Sequence, residues 1–127
     1  MVEAWIDNVE NINRRRIHRL VVGLDVEWLR NFNCKIHHPA ATLQLCVGLD
    51  CLIFQILYAE EMPKSLFDFL VDEIYTFVGV GIDRDVEKLY DEHDLEVENI
   101  VDLRRLASKR YCSLFFSVSP SLLLTVL

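Results

Sequence analysis

The sequence predicts an α/β domain built on a mixed sheet, with an antiparallel hairpin, parallel strands and helices on its faces. Three observations carry this. Residues 20–28, LVVGLDVEW, form an apolar strand-like run, residues 42–57 hold two further β-type runs around Gly48-Leu49-Asp50, and helix and strand periodicities alternate after Pro63. With 127 residues, 52% of them hydrophobic, the chain suffices for one domain with its own core.

Residues 3–12 place Trp5, Val9 and Ile12 at helical spacing, a short amphipathic helix. It leads into Arg14, Arg15, Arg16 and Arg19, a basic cluster that serves as a solvated helix end or, less commonly, as a phosphate-binding patch. The strand at 20–28 follows, then a polar loop over 30–39 ended by Pro39. Runs 42–47 and 51–57 make a hairpin whose turn is Gly48-Leu49-Asp50. Over 63–74, Leu66, Phe67, Phe69, Leu70 and Ile74 fit a helix with Pro63 in its first turn. A short strand is expected at 77–80, a helix at 83–93 with Val86, Leu89 and Tyr90 inward, and an extended segment at 97–103. The order strand, strand, strand, helix, strand, helix, strand, joined by right-handed β-α-β crossovers, describes the mixed sheet of ribonuclease-H-like folds.

Within the first strand Asp25 and Glu27 stand where a core strand wants hydrophobic side chains. Strand side chains alternate, so both project to one face and repel unless a positive group lies between them. Hard oxygen ligands suit Mg²⁺ or Mn²⁺, although an Asp-x-Glu pair is more often a solvated surface pair.

The net charge of −7 and a pI near 5.0 exclude a generally basic nucleic-acid-coating protein, so nucleic-acid contact must be local or metal-mediated. Acidic residues crowd positions 60–102. Cys34, Cys46, Cys51 and Cys112 lack Cys-x-x-Cys and zinc-finger spacings. The N-terminus lacks a signal pattern, so buried reduced thiols in a reducing intracellular compartment, nucleus or cytoplasm, are expected, with Cys46 and Cys51 able to approach across the hairpin. The apolar segment 113–127 is too short to span a bilayer and is broken by Pro120, so no membrane association is expected.

A second acidic motif lies at 77–89, FVGVGIDRDVEKL. A dinucleotide-binding fingerprint is rejected, because its third glycine would fall on Arg84 and the acids would repel a pyrophosphate. Asp83 reads as a first-turn acid that complements the helix macrodipole.

Taken together, the motifs resemble the DEDD superfamily of 3′-5′ exonucleases and, within it, the Werner-syndrome-type branch with its plant relatives. VGLDVEW looks like the first exonuclease motif, HPAATLQLCVG (38–48) like the hairpin strand that follows it, and FVGVGIDRDVEKL like the second motif. LEVENIVDLRRLA (95–107) extends the resemblance, which runs from Trp5 to Ala107. It implies a partial exonuclease domain at 1–107 and a non-family apolar tail at 108–127. It further implies a two-metal mechanism using Mg²⁺ or Mn²⁺ ions roughly 4 Å apart. Asp25 would bridge both ions, Glu27 would hold the one carrying the nucleophile and Asp85 the other, with a nucleoside 5′-monophosphate released from a single-stranded DNA or RNA 3′ end.

The match stops at the third motif. The family uses Tyr-x-x-x-Asp on a late helix, whereas Tyr111 is followed by Leu114 and Phe115 and no acid occurs after Asp102. The sequence therefore resembles a family member truncated before that motif, with the C-terminal helices missing, and little or no activity is expected from it alone. Trp28 is a candidate for base stacking or for core packing beside the strand end, and Arg84 a candidate nucleic-acid contact. His37 and His38 read as solvent-facing loop residues, and His93 as a favourable helix-end residue.

Two further readings compete. One is a catalytically inactive remnant acting as an oligomer or interaction subunit, with an exposed apolar patch that would favour a homo-oligomer. The other is a plain interaction module in which Asp25 and Glu27 pair with Arg84 or the Arg cluster.

Overall fold

A five-stranded sheet of order β3-β2-β1-β4-β5 carries its helices mainly on one face, in the computed structural model that describes residues 1–29 and 35–111. β1 (Val21–Glu27) is central: it runs antiparallel to β2 (Thr42–Val47) and parallel to β4 (Thr76–Gly79). β3 (Asp50–Phe54) extends the antiparallel side and β5 (Ile100–Asp102) the parallel side. This is the mixed sheet expected from the sequence.

Alternation decides the core. Val22, Leu24 and Val26 of β1 point inward with Leu43, Leu45 and Val47 of β2, Leu52 and Phe54 of β3 and Phe77 of β4. Against that face pack Val2, Ile6 and Val9 of α1 (Val2–Ile12), Leu66, Phe69 and Leu70 of α2 (Lys64–Leu70), and Ile82 and Leu89 of α3 (Ile82–His93). Phe69 gathers the aromatic centre, with ring centroids 5.9 Å from Trp5, 4.6 Å from Tyr75 and 5.7 Å from Phe77. The Tyr75 hydroxyl donates to Glu10 Oε1 at 2.6 Å and so ties α1 to the start of β4. Burial, together with that bond to a carboxylate, pushes the phenol well above its ordinary pKa.

Several element ends differ from the sequence expectation, each for a local reason. The hairpin turn has two residues, Gly48 and Leu49, because Asp50 already pairs with Val47, and Gly48 has the positive φ of 59° that the first position of such a turn requires. β3 stops at Phe54, and a 3-10 turn, Ile56–Tyr58, then carries Ile56 into the core. α2 ends at Leu70 rather than reaching Ile74, because Asp72 Oδ1 accepts the Ile74 N–H and turns the chain. Tyr90 of α3 faces solvent, 52% exposed, while Leu89 takes the inward position. β5 is short because Asn99 adopts a left-handed φ of 48° immediately before it.

A helix the sequence reading did not anticipate, α4 (Leu103–Tyr111), follows β5 directly. Its start is capped: Asp102 Oδ1 accepts the Arg104 N–H at 2.8 Å. The expected apolar tail, from residue 112 onward, and residues 30–34 of the loop lie outside the described residues.

The thiols of the hairpin also differ from expectation. Closing the turn on the Val47–Asp50 pair makes Cys46 and Cys51 the next pair out, with Cα atoms 4.2 Å apart, and their sulfurs are joined in a disulfide on the face away from the core. Cys51 is exposed rather than buried.

One close approach fixes the centre of the sheet. A Cβ at Gly79 would lie 2.6 Å from the Leu24 carbonyl oxygen and 3.3 Å from Ile82 Cβ, so β4 and the turn into α3 seat against β1 only with glycine there. Gly79→Ala is therefore expected to lose roughly 1–3 kcal/mol or more of stability in urea denaturation. Gly48→Ala, which meets nothing within 4 Å, should lose only about 1 kcal/mol for its left-handed backbone.

Candidate functional site

The odd-numbered residues of β1 face away from the core: Val21, Gly23, Asp25 and Glu27. Asp25 is half-buried opposite Gln44 of β2, and its carboxylate makes no hydrogen bond or ion pair among the described residues. Glu27 is exposed opposite Thr42, at the carboxyl end of the strand, where its backbone C=O accepts the Ala41 N–H at 2.8 Å. Because β1 and β4 are parallel, their carboxyl ends meet at one edge of the sheet, the position at which open α/β sheets bind ligands.

α3 begins at that edge. Gly81, with φ +70°, makes the turn out of β4, and the helix then packs against β1. Asp83 is exposed and pairs with Arg105 of α4, Oδ2 to Nη2 at 2.9 Å. Asp85, two residues on, is turned inward and is only 5% exposed, while Arg84 between them faces solvent. The structure thus separates two acids that are adjacent in the motif: Asp83 serves a surface ion pair, and Asp85 is held inside.

Asp25 and Glu27 share one face, and Asp85 stands on the helix that packs on their strand. Among the described residues, however, no three His, Cys, Asp or Glu side chains are gathered closely enough to hold a metal ion. The donors are hard oxygens suited to Mg²⁺ or Mn²⁺. The ion-pair alternative also finds no support at Asp25, which is joined neither to Arg84 nor to the Arg cluster.

A second group, not foreseen from the sequence, holds α3 to the loop that leaves β1. Lys88 Nζ donates to Glu92 Oε1 at 2.6 Å and to the His38 carbonyl at 2.7 Å, and it lies 5.0 Å above the Trp28 ring. Glu92 Oε2 accepts the Ala40 N–H at 2.7 Å, and His37 Nε2 stands 3.0 Å from Glu92 Oε1. His37 is exposed as expected, His38 is half-buried, and His93, in the last turn of α3, lies 3.9 Å from Glu92. Trp28 packs against the core cluster and supports the lysine. Burial alone would raise the Glu92 carboxyl, but the Ala40 N–H, the Lys88 hydrogen bond and the Lys88 and His37 charges together draw it below its ordinary value. The only sequence signal for this node was the i, i+4 spacing of Lys88 and Glu92 on a helix whose Asp85 is one turn earlier.

A family model described as 3′-5′ exonuclease matches residues 1–113. The chain belongs to the 3′-5′ exonuclease family. It is 31% identical over 90 residues to a 3′-5′ exonuclease of Arabidopsis thaliana, covering 70% of this chain and 31% of that protein. It is 31% identical over 102 residues to the bifunctional 3′-5′ exonuclease/ATP-dependent helicase WRN of Mus musculus, covering 80% of this chain and 7% of that protein. Among solved structures, the EXD2 exonuclease domain soaked in Mg and GMP shares the fold with a TM-score of 0.64 and 30% identity, over 84% of this chain and 55% of that one. The exonuclease-family chain therefore spans under a third of these two curated relatives and just over half of the solved domain. Among the described residues no helix is long and apolar enough to cross a membrane.

Glu92→Gln is expected to cost about 2 kcal/mol at pH 7, because its hydrogen bonds to charged and backbone donors weaken. Since the folded carboxyl titrates below its unfolded value of about 4.3, the stabilisation is complete above that pH and is lost as pH falls through the folded value. Urea denaturation at pH 7 and again near pH 3 should show the difference between wild type and variant shrinking in acid.

Proposed function

We propose that the acidic edge formed by Asp25, Glu27 and Asp85 binds a divalent cation, Mg²⁺ or Mn²⁺, together with the 3′ end of a single-stranded nucleic acid. The activity to which this edge belongs is two-metal 3′-5′ hydrolysis, and the 127-residue chain by itself performs it weakly or not at all. One observation carries the reading: a half-buried carboxylate, Asp25, sits unpartnered on the central strand at the sheet's ligand-binding edge, in a chain of the 3′-5′ exonuclease family. A carboxylate placed there with no protein donor beside it is open to a cation. Two solved relatives, an EXD2 exonuclease domain soaked in Mg and GMP and another in Mn and GMP, support the choice of ion and of a nucleotide ligand.

Weak hydrolysis follows from what the sequence lacks. No acid follows Asp102, so no Tyr-x-x-x-Asp is present to orient the attacking water or add a carboxylate, and general-base assistance of that kind contributes roughly 10²- to 10⁴-fold. Trp28 and Arg84 are proposed as nucleic-acid contacts bordering the edge, Arg84 as the exposed cation and Trp28 through the portion of its ring not packed on the core.

Two measurements test the proposal. Mn²⁺ should raise the melting temperature of the chain, and Asp25→Asn should abolish the rise. On a 3′-labelled single strand with Mn²⁺, a version carrying an added Tyr-x-x-x-Asp helix should degrade at least about 10²-fold faster than the chain itself. No melting shift in the wild type, together with no activity in the extended version, would favour an inactive subunit instead.

A further inference from the structure

The basic cluster ahead of β1 is not used by the acidic edge. It folds as a 3-10 helix, Arg14–Arg19, kinked at Arg16, where φ is −136°. Ile17 alone packs against the core, so Arg14, Arg15, Arg16, His18 and Arg19 are all exposed. The turn is held rigidly from behind. Asn13, buried, donates through both its backbone N–H and its Nδ2 to the Val9 carbonyl, at 3.1 and 2.8 Å, and its own carbonyl accepts the Arg16 N–H at 2.9 Å.

Among the described residues none of these cations is neutralised by an ion pair. The five ion pairs among the described residues involve His37, Lys64, Lys88, His93 and Arg105, and Arg14 contacts only the neutral Asn11 Oδ1 at 3.0 Å. This is notable in a chain with 20 carboxylates against 13 Lys and Arg residues, four of the latter within six positions. Asp7 and Glu10 border Arg14 on α1, and Glu10 is already engaged by Tyr75, which leaves Arg15, Arg16 and Arg19 as the uncompensated charges. Beside them a surface recess is lined by Asn11, Ile12, Asn13, Arg14, Arg15 and Arg16, and its exposed guanidinium groups are donors matched to phosphate oxygens.

We propose that this turn is a second nucleic-acid contact, binding the phosphodiester backbone of a strand through Arg15, Arg16 and Arg19, with no base specificity. The choice of nucleic acid over another polyanion rests on the proposed function. From Arg19 to Asp25 is six residues of extended chain, or ~20 Å. A single strand of several nucleotides spans that distance, so one strand can reach both ends of β1.

The test is fluorescence anisotropy of the full chain with a labelled 20-nucleotide single strand in EDTA, comparing wild type with the Arg15→Gln/Arg16→Gln/Arg19→Gln variant across 50–200 mM salt. The side chains are exposed and outside the core, and a melting curve for each variant verifies folding. The triple variant should bind roughly tenfold or more weakly, and the slope of log K against log salt should fall by about 2, near 0.7 per phosphate contact. Equal affinity and slope in the two proteins overturn the proposal. Binding to phosphatidylserine vesicles that is lost in the variant, with no oligonucleotide binding in either protein, also overturns it in favour of an anionic membrane surface. Because EDTA removes divalent ions, failure of the acidic edge to bind metal leaves this assay unchanged.

Discussion

The approach of β4 to β1 at Gly79 is the constraint on which the rest of this structure depends. β1 has an antiparallel neighbour on one side and a parallel one on the other, so the strand that bears Asp25 and Glu27 lies where the sheet changes direction. The parallel partner reaches the Leu24 carbonyl, one residue before Asp25, only because no side chain intervenes. From that contact the chain turns through Gly81 into α3, in whose first turn the buried Asp85 lies. A bulkier residue at position 79 would displace strand, turn and helix together.

The charges are distributed with equal economy. Acids occupy the carboxyl end of β1 and α3, and uncompensated arginines occupy the turn before its amino end. Between them, the Lys88–Glu92 pair fastens the loop after β1 to α3, the helix bearing Asp85, by backbone and side-chain bonds. Buried charge is tolerated at Glu92 because every neighbour there is a donor. At Asp25 no such donor is present, and that contrast separates a structural carboxylate from a candidate ligand.

Much of this was legible in the sequence because the signals were local. The run LVVGLDVEW carried its alternation openly, Gly48 marked the hairpin, and the spacing of Asp25, Glu27 and Asp85 within recognisable motifs pointed to the family that residues 1–113 match. What escaped depended on distant partners or on register. Tyr90 fitted the inward stripe of α3, but Leu89 filled the only space the sheet offered. The Cys46–Cys51 pair followed from closing the turn on Asp50, one residue earlier than composition suggested. α4 was hidden because its cap, Asp102, is also the last residue of β5. The bond from the Ala40 amide to Glu92 spans 52 residues and leaves no periodic trace.

Asp25 and its neighbouring acids are proposed to form a cation site on the edge of this sheet. The most direct measurement is anomalous scattering from crystals of the chain grown with Mn²⁺. A manganese peak within bonding distance of Asp25 and of Glu27 or Asp85 is the predicted result. Well-ordered carboxylates with no peak between them, or manganese bound only elsewhere on the surface, would contradict it.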